Sequence, residues 1–561
     1  MKGKIFSLVL IIVFTSAGIA QESGKASPTT SLEEKLKQAM QEWDRPDRLG
    51  GVVAVLQEGK IVYKKCFGQA NAEHQNPNTP KTVYDIANLA EPITGMAIAM
   101  LEERGEVAAT DSVRKHIPEL PGFTDSITIA HLLYHTSGLI DWFDLLILAG
   151  WNERDVITPD HVWKLLAHQT EPLFEPGSKY LYSRTDYTVL AEVVKRISNQ
   201  SFREWAWDNI FKPLKMTRTL VRDDHREIIE NRAYSISYSG YEGYLRGADN
   251  LAVVGSTSLF TTLDDFIKWM FNLENHEIGS AALMTKMAAS GKLADGRDTG
   301  HSYGFCLDTY QGLKRMYKNG SWGGFRTAFH YYPEIPFGVV VFANWDYDVY
   351  DPVRTAESLS QIFLETRIAR EKESAPAPPE QKPIEMSASE LKTYEGHYRM
   401  EPGSYLQIVL EGDNLLAKVS GASFRLMPLS QTEFIVAEIG LPVYFEKDAE
   451  GRIARFTVQG NTAPRVELVE LNLEQLKNYK GTYVNKALDM RYDIKLLDDK
   501  LVLTSPRGKE ITLRPENQRD FAGRSRILHT IEFKMDDNHK ITGFCINTDH
   551  LRPFLFERIT P

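Results

Sequence analysis

Apolar residues near the start of the chain recur first at the spacing of a helix and then at the spacing of strands. Four of them fit one face of an amphipathic helix: Leu32, Leu36, Met40 and Trp43. Ser31 precedes this run, and Glu34 lies three residues after Ser31, which is the spacing of a helix capping box. Residues 51–68 then alternate between apolar and polar positions on either side of Glu58-Gly59, and this pattern predicts a β-hairpin.

Strand-like segments at the two ends of the first two thirds of the chain enclose a mainly helical middle. Residues 89–104 have helical periodicity, and Gly105 predicts the end of that helix. Strand patterns return at residues 325–329 and 338–342. We therefore predict an α/β fold over residues 21–367, a sandwich of helices on a sheet that pairs the two ends of the domain.

A change in composition predicts the end of this large domain. Residues 368–388 are charged and rich in Pro and Ala, so they cannot bury enough apolar surface to fold on their own. We interpret them as a linker. Limited proteolysis is expected to cut between Arg370 and Pro383, where few contacts should hold the backbone.

The rest of the chain contains an internal repeat. Residues 394–398 (YEGHY) return as residues 479–483 (YKGTY), and a Leu-Lys pair precedes each copy. Both copies alternate apolar and polar residues at period two, with turn residues between the runs. This pattern predicts two small all-β, barrel-like domains. Their expected bounds are residues 389–472 and 473–561.

The first 20 residues have the three-part pattern of a secretory signal peptide. Lys2 and Lys4 precede an apolar run over residues 5–14, and small residues lead to a cleavage point between Ala20 and Gln21. An uncleaved N-terminal anchor is the alternative. No later stretch approaches the roughly 20 apolar residues that a membrane-spanning helix needs. We expect an exported protein, either periplasmic or secreted, without a membrane span.

Charge and cysteine content narrow the partners. The net charge of −10 at pH 7 argues against nucleic acid, whose phosphates require clustered Lys and Arg. The 3 cysteines are odd in number and widely spaced, so neither a disulfide framework nor a zinc site is indicated. We predict no cofactor and no metal ion, and the sequence leaves the oligomeric state open.

Three short segments of the large domain carry its candidate chemistry. Residues 129–140 read IAHLLYHTSGLI, with His135 at a predicted helix end; residues 182–184 read YSR; and residues 318–321 read KNGS. In this order and spacing, within residues 30–365, they resemble the β-lactamase-related family. That family includes class C β-lactamases, D-alanyl-D-alanine carboxypeptidases and D-aminopeptidases, and the resemblance implies a β-lactamase/transpeptidase-like fold.

The resemblance also implies roles for individual side chains. The family's tyrosine, here Tyr182, helps to move a proton between nucleophile and leaving group. The cation of its Lys/His-x-Gly strand, here Lys318, attracts a substrate carboxylate, and Gly320 lets the backbone pass close to the acyl group. Three further positions are expected to line the pocket: Asn319, Ser321 and Arg184, which replaces the family's asparagine.

Structural interpretations compete with these roles. Tyr182 is also compatible with a core aromatic residue, and residues 318–320 with a surface turn. For His135 we favour a structural histidine at a helix end that bonds to the backbone, and we assign it no chemistry.

The family's Ser-x-x-Lys motif is absent from its expected place. There the chain has Asn88 in the position of the serine and Glu91 in the position of the lysine. An amide nitrogen is no acyl-transfer nucleophile, and Glu91 reverses the charge that should lower the pKa of a nucleophile. Ser112 and Ser389 begin other Ser-x-x-Lys spellings. Both lie outside the predicted helix, so we treat these matches as chance.

Three hypotheses remain open at this stage. The first is a catalytically inactive member that binds a peptide, muropeptide or protein partner. The second is an active hydrolase of altered mechanism, with Glu91 as general base and Tyr182 or Lys318 stabilising charge. The third makes the large domain a scaffold for binding by the β domains. For any of them we expect Glu91 and Lys318 to form an ion pair with Tyr182 beside it.

Overall fold

The chain forms two compact units. In the computed structural model, the large unit holds Pro28–Leu146 and Trp151–Pro376, and the second, the barrel unit, holds Ile147–Gly150 and Ala377–Pro561. The predicted signal peptide and residues 375–382 of the predicted linker lie outside the described residues. The structure describes residues 31–239, 243–346, 351–374, 383–401, 404–419, 422–458, 461–486, 490–523, 530–548 and 551–559.

The α-helices occur mainly in the large unit. In chain order they are α1 (Leu32–Ala39), α2 (Glu91–Glu103), α3 (Val113–His116), α4 (Ile129–Leu133), α5 (Trp142–Leu148), α6 (Pro159–Ala167), α7 (Arg184–Ser198), α8 (Phe202–Ala206), α9 (Leu263–Asn275), α10 (Ala281–Met287), α11 (Pro352–Phe363), α12 (Glu365–Ser374), α13 (Ala388–Lys392) and α14 (Leu473–Lys477). Tighter or wider turns cover Ala87–Ala90 and Gly122–Ser126, both 3-10 helices, and Trp207–Phe211, a π-helix.

The strands of the large unit form one major sheet and three small ones. They are β1 (Gly51–Gln57), β2 (Lys60–Phe67), β3 (Gln69–Asn71), β4 (Asn76–Pro77), β5 (Val83–Asp85), β6 (Leu220–Val221), β7 (Ile236–Ser239), β8 (Gly243–Arg246), β9 (Leu259–Thr262), β10 (His301–Ser302), β11 (Phe305–Tyr310), β12 (Leu313–Trp322), β13 (Phe325–Tyr332), β14 (Phe337–Ala343) and β15 (Trp345–Asp346). The major sheet has the order β10-β11-β12-β13-β14-β1-β2, and the small sheets are β15-β7-β8, β5-β9-β6 and β3-β4.

The major sheet pairs the two ends of the large unit, as the sequence predicts. Strand β1 lies antiparallel to β14, with Val53 opposite Val341, and it forms the expected hairpin with β2. The central strands of the major sheet are buried on both faces. Leu359 of α11 belongs to the core on one face. On the other face the ring centre of Phe266 of α9 lies 5.4 Å from that of Phe342. The predicted α/β sandwich is therefore confirmed.

Local capping explains where the first helix begins. The Ser31 hydroxyl accepts a hydrogen bond from the Glu34 backbone N–H at 3.2 Å, and the Glu34 carboxylate accepts one from the Ser31 backbone N–H at 3.0 Å. This reciprocal capping box satisfies backbone donors that the first turn of a helix leaves unpaired.

Two element boundaries differ from the prediction. The helix expected from residue 89 begins at Glu91 instead, because Ala87–Ala90 form a 3-10 turn and Pro92 suits the first turn of an α-helix. Helix α12 extends to Ser374 and so covers the first part of the predicted linker. Its charged sequence supports a helix through the Arg367–Glu371 pair, 3.2 Å apart at a spacing of four residues.

The barrel unit contains two closed eight-stranded barrels, which confirms the predicted pair of all-β domains. A short capped helix precedes each barrel, α13 before the first and α14 before the second. The first barrel consists of β16 (Gly396–Glu401), β17 (Ser404–Glu411), β18 (Asn414–Val419), β19 (Ala422–Pro428), β20 (Glu433–Val436), β21 (Leu441–Lys447), β22 (Ile453–Val458) and β23 (Asn461–Val466). The second consists of β24 (Gly481–Asn485), β25 (Met490–Leu497), β26 (Lys500–Thr504), β27 (Glu510–Pro515), β28 (Asp520–Gly523), β29 (Thr530–Met535), β30 (Ile541–Thr548) and β31 (Leu551–Ile559).

The described residues contain no helix that is both long and apolar enough to cross a membrane. The thiols of Cys66, Cys306 and Cys545 are free.

Candidate functional site

Four elements of the large unit meet at the candidate site. They bring together Asn88 in the 3-10 turn, Glu91 at the start of α2, Tyr182 just before α7 and Lys318 on β12. The 3-10 turn is fixed from below by Asp85, whose Oδ1 accepts a hydrogen bond from the Ala87 backbone N–H at 2.9 Å. Ala87 has a φ of +50°, so the chain turns sharply here and presents Asn88 to the site.

A chain of hydrogen bonds links Asn88 to Glu91 through Tyr182. The Asn88 side-chain amide donates to the Tyr182 hydroxyl at 2.6 Å, and that hydroxyl donates to Glu91 Oε1 at 2.6 Å. Asn88 is 8% exposed, whereas Glu91 is completely buried. Burial and the neighbouring Glu91 carboxylate raise the pKa of Tyr182 well above its ordinary value, so its hydroxyl stays protonated.

Glu91 and Lys318 form the expected ion pair. The Lys318 ammonium donates to Glu91 Oε2, and the side chains are 4% and 0% exposed respectively. Burial by itself raises the pKa of Glu91, but the Lys318 charge and the His135 ring lower it more, and the pKa lies below its ordinary value. The carboxylate is therefore ionised near neutral pH, and Lys318 is already neutralised by it.

His135 lies beside this pair and is completely buried. Its Nδ1 is 2.9 Å from Asp186 Oδ2, and its Nε2 is 3.6 Å from Glu91 Oε2. Burial lowers the pKa of His135, but the Asp186 and Glu91 carboxylates on either side of the ring raise it more, so the pKa lies above its ordinary value. The predicted bond to backbone is present, because His135 Nδ1 accepts the Ser183 backbone N–H at 3.4 Å. The nearest partner of the ring is nevertheless a carboxylate side chain, because α7 brings Asp186 under the turn.

Arg184 lies beside Tyr182 but does not pair with Glu91. Its guanidinium donates to Asp141 Oδ2 at 2.9 Å and lies 5.7 Å from the centre of the Tyr182 ring. The same carboxylate oxygen accepts the Arg184 backbone N–H at 2.8 Å. The Arg184 charge is therefore neutralised within the wall of the site.

Strand β12 forms the opposite wall and passes very close to the 3-10 turn. A Cβ atom on Gly320 would lie 2.6 Å from the carbonyl oxygen of Ile86 and 3.1 Å from the backbone nitrogen of Asn88, so the contact requires glycine. Lys318 points into the buried interior, whereas Asn319 is half-buried and Ser321 is exposed. The predicted pocket-lining residues thus divide into a buried inner group and an outer group open to solvent.

The two other Ser-x-x-Lys spellings have structural roles. The Ser112 hydroxyl caps α3 by accepting the Arg114 backbone N–H at 3.3 Å, and Lys115 pairs with Asp111 at 2.8 Å. Ser389 is an exposed residue on α13 of the barrel unit. Neither serine lies on the elements that build the candidate site.

Sequence reasoning missed part of the buried layer. Asp186 and His301 are completely buried, and the latter packs with its ring centre 4.5 Å from that of His135. Glu91, His135 and His301 offer ligand atoms that lie within 4.8 Å of one another, a group that could hold a metal ion where the sequence predicted none. The signal available for such buried residues was a charged or polar residue inside an apolar run next to a recognised motif. His301 lies far from any motif, so nothing in the sequence pointed to it.

The charged side chains of the site pair with one another among the residues that the structure describes. Lys318 meets Glu91, Arg184 meets Asp141, and His135 meets Asp186. Asn88, which stands where the resemblance leads us to expect a nucleophile, carries a side-chain amide. This arrangement can hold a ligand through hydrogen bonds from its outer residues, but it presents no activated oxygen at that position.

Comparison with known proteins places this geometry in a family. The model of the β-lactamase family matches residues 32–361, which is more than half of the chain. Penicillin-binding protein 4* of Bacillus subtilis is 25% identical over 422 residues, covering 71% of this chain and 90% of that protein. A D-aminopeptidase of Gluconobacter oxydans is 24% identical over 301 residues, covering 53% of this chain and 55% of the enzyme.

Solved structures agree on the fold. The octameric penicillin-binding protein homologue from Pyrococcus abyssi superposes with a TM-score of 0.53 at 21% identity, covering 85% of this chain and 98% of that one. The penicillin-binding protein from Bacillus halodurans gives 0.51 at 23% identity, covering 58% and 98%. The chain belongs to the β-lactamase family.

Proposed function

We propose that this protein is a catalytically inactive member of its family that binds a peptide, a muropeptide or a protein partner in the cleft around Asn88. The observation that carries the proposal is the linked group of Asn88, Tyr182, Glu91 and Lys318. It occupies the place of the catalytic serine and lysine with groups that satisfy one another.

The proposed loss of catalysis follows from the chemistry of each position. Asn88 has no hydroxyl to acylate, and its amide N–H donates to the Tyr182 hydroxyl at 2.6 Å. That hydroxyl donates to Glu91 rather than to a nucleophile. Loss of the nucleophile alone costs a serine hydrolase about 10⁶ in turnover, so no ordinary acyl transfer is expected here.

Charge pairing also restricts the ligand. Lys318 is neutralised by Glu91 and Arg184 by Asp141, so neither cation is available for a free carboxylate. Asn319 and Ser321 of β12, in contrast, are half-buried and exposed respectively, and their side chains can bond to peptide groups. The relative named a D-aminopeptidase supports a ligand with D-amino acids. We therefore propose that the cleft favours the backbone of such a peptide over its charged C-terminus.

The alternative, a hydrolase with Glu91 as general base, is less well supported. A general base works best with a pKa near the operating pH and within reach of water. Glu91 is completely buried, its pKa is lowered, and both of its oxygens accept hydrogen bonds, from Tyr182 and from Lys318. These contacts oppose proton uptake by the carboxylate.

Labelling with a fluorescent penicillin tests the catalytic part of the proposal. Unmodified protein is expected to show no covalent label after long incubation. The double variant Asn88→Ser with Glu91→Lys should label slowly, because it restores the family motif beside Tyr182 and Lys318. Asn88→Ser alone should label little, since the Glu91 carboxylate opposes formation of an alkoxide. Label on the unmodified protein that survives Asn88→Ala and is lost in Ser112→Ala would overturn the proposal.

A binding measurement tests the ligand. Calorimetric titration with an N-acylated D-alanyl-D-alanine amide should show binding without turnover, and the free acid should bind no more tightly. Ser321→Tyr, which adds a large side chain at the exposed position of β12 next to Gly320, should weaken binding at least tenfold. Ser126→Tyr, at an exposed serine of the same unit away from the cleft, is the matched control. Equal binding by both variants would place the ligand elsewhere, as the scaffold hypothesis requires.

We further propose that the protein is exported. The support is the charged, apolar and small-residue pattern of residues 1–20. N-terminal sequencing of periplasmic or secreted material should begin at Gln21. Retention of Met1 in a cytoplasmic product would contradict export, and Met1 retained in a membrane fraction would indicate the uncleaved anchor.

A further inference from the structure

Three buried side chains of the large unit converge behind the cleft: Glu91, His135 and His301. Each is completely buried, and their ligand atoms lie within 4.8 Å of one another. They come from three elements that are far apart in sequence, namely the start of α2, the turn after α4 and the edge strand β10. Gly304 makes this possible, since a Cβ there would lie 2.4 Å from the Glu91–Pro92 peptide, and its φ of +91° suits glycine.

The two imidazoles have nitrogens without a hydrogen-bond partner. Nε2 of His135 and Nε2 of His301 are both buried and unpaired among the described residues. Buried polar atoms in native proteins are nearly always paired, so two unpaired nitrogens on adjacent rings beside a carboxylate are available to bind one ion. Their ring centres are 4.5 Å apart, and a single ion between them and Glu91 would satisfy the cluster.

His135 is also oriented in the way that metal-binding histidines are. Its Nδ1 lies 2.9 Å from Asp186 Oδ2, and Asp186 Oδ1 accepts the Ser137 hydroxyl at 2.5 Å. A carboxylate on the far nitrogen fixes the ring and leaves Nε2 for the ion, which is the usual second layer of a metal site. That Nε2 is 3.6 Å from Glu91 Oε2, close to the separation of two ligands on one ion.

We propose that Glu91, His135 and His301 form a binding site for one divalent transition-metal ion of the zinc class. Two imidazoles and one carboxylate suit zinc, cobalt, nickel or ferrous iron, whereas magnesium and calcium prefer oxygen ligands. Distances of about 2.1 Å from an ion to each ligand require the cluster to contract slightly by side-chain rotation. The site does not rest on the proposed peptide-binding role, because metal binding is measured without a peptide.

Lys318 sets the strength of this site. Its ammonium donates to the same Glu91 oxygen that the ion would use, so ammonium and metal compete for one carboxylate. Removing the ammonium should therefore strengthen metal binding. A protonated His135 between Glu91 and Asp186 is the rival arrangement, and it accounts for only one of the two orphaned nitrogens.

The test is a cobalt titration of the full chain after treatment with a chelator, followed by the visible absorption bands that imidazole ligands induce. Equilibrium dialysis with zinc gives the stoichiometry. We expect one ion per chain, affinity lowered at least tenfold in His301→Gln and raised at least tenfold in Lys318→Met. His330→Gln is the matched control: His330 is a completely buried histidine of neighbouring β13 whose Nε2 is also unpaired, but it lies beside Arg315.

Two results would overturn the proposal. One is the absence of stoichiometric binding in both the unmodified protein and Lys318→Met. The other is equal loss of affinity in His301→Gln and His330→Gln, which would indicate binding elsewhere or general damage to the fold. If a variant fails to fold, nitrogen NMR of the unmodified protein still tests the proposal. Zinc must then shift the ring signals of two histidines and no more.

Discussion

Tyr182 in the candidate site and Tyr398 in the first barrel each have a hydroxyl group that is fixed by hydrogen bonds. The two hydroxyl groups differ in the type of group to which they bond. The Tyr398 hydroxyl donates to the backbone carbonyl of Tyr394 at 2.7 Å. The second barrel repeats this bond, from Tyr483 to the carbonyl of Tyr479, at the same 2.7 Å. The Tyr182 hydroxyl instead bonds only to side chains, those of Glu91 and Asn88.

The barrels repeat a whole polar framework around that bond. Arg465 in the first copy donates to the carbonyl of Glu395, and Arg558 in the second donates to the carbonyl of Lys480. Every acceptor in these four contacts is backbone, which is present whatever the side chain is. A bond to backbone therefore maintains a fold, and it persists in both copies of a duplicated domain.

The site shows the opposite behaviour. Its bonds join one side chain to another, so a change at one position alters the role of its neighbours. Glu91 is at once the counter-ion of Lys318 and the acceptor of the Tyr182 hydroxyl, so a substitution of this one residue changes the surroundings of both. The partner of a buried polar group, rather than its burial, therefore separates a structural role from a functional one.

The largest expected effect is on Glu91. Glu91→Ala removes the counter-ion of Lys318, whose side chain is 4% exposed. Breaking a buried pair by removing one partner typically costs about 3–5 kcal/mol. All 9 tryptophans lie between residues 43 and 345, so tryptophan fluorescence during urea unfolding reports on the large unit alone.

A barrel carboxylate provides the control. Glu516 is 1% exposed on its side chain and pairs with Arg399 at 2.5 Å, but Arg399 remains 24% exposed and can return to water. Glu516→Ala should leave the fluorescence transition of the large unit unchanged. If Glu91→Ala also left it unchanged, the buried pair would not be formed in solution.

An intermediate effect separates the tyrosines. Tyr398→Phe leaves the Tyr394 carbonyl without its donor, at a cost of about 1–3 kcal/mol seen in the circular dichroism of the barrels. Tyr182→Phe should cost the large unit about 1 kcal/mol or less, because Glu91 keeps Lys318. In the Asn88→Ser, Glu91→Lys double variant, however, Tyr182→Phe should abolish penicillin labelling. Labelling that persists would mean that the tyrosine has no part in proton transfer.

The same contrast explains what the sequence could predict. The period-two runs and the YEGHY/YKGTY repeat predicted both barrels. The capping box and the hairpin pattern predicted the first elements of the large unit. These predictions succeeded because such signals are local. The motifs likewise gave Glu91, Tyr182 and Lys318 as neighbours. His301 and Asp186 were missed because their contacts, 4.5 Å between rings and 2.9 Å between atoms, arise only when distant elements pack.

The smallest expected effect is a pH dependence that distinguishes two completely buried histidines. Contacts with Asp186 and Glu91 outweigh burial and raise the pKa of His135, whereas burial and Arg315 lower the pKa of His330 to about 3. A raised pKa means that the folded protein holds the proton more tightly. Its contribution to stability is then complete below about pH 6.5 and is lost as the pH rises through the folded value.

For His330 the sign is reversed. The unfolded chain binds a proton below about pH 6.5 that the folded protein does not, so this histidine lowers stability in acid and has no effect above that pH. The free energy of unfolding of the unmodified protein, freed of metal by a chelator, should be compared by tryptophan fluorescence with that of His135→Gln and His330→Gln treated in the same way. Above pH 6.5, where Asp186 with its pKa of about 6 and Glu91 stay ionised, the advantage over His135→Gln should shrink with rising pH. Below pH 6.5 the advantage over His330→Gln should shrink as the pH falls, by up to about 1.4 kcal/mol per pH unit. Parallel curves for the two variants would show that His135 is neutral in the folded protein, and the bridge between Glu91 and Asp186 would then carry no charge.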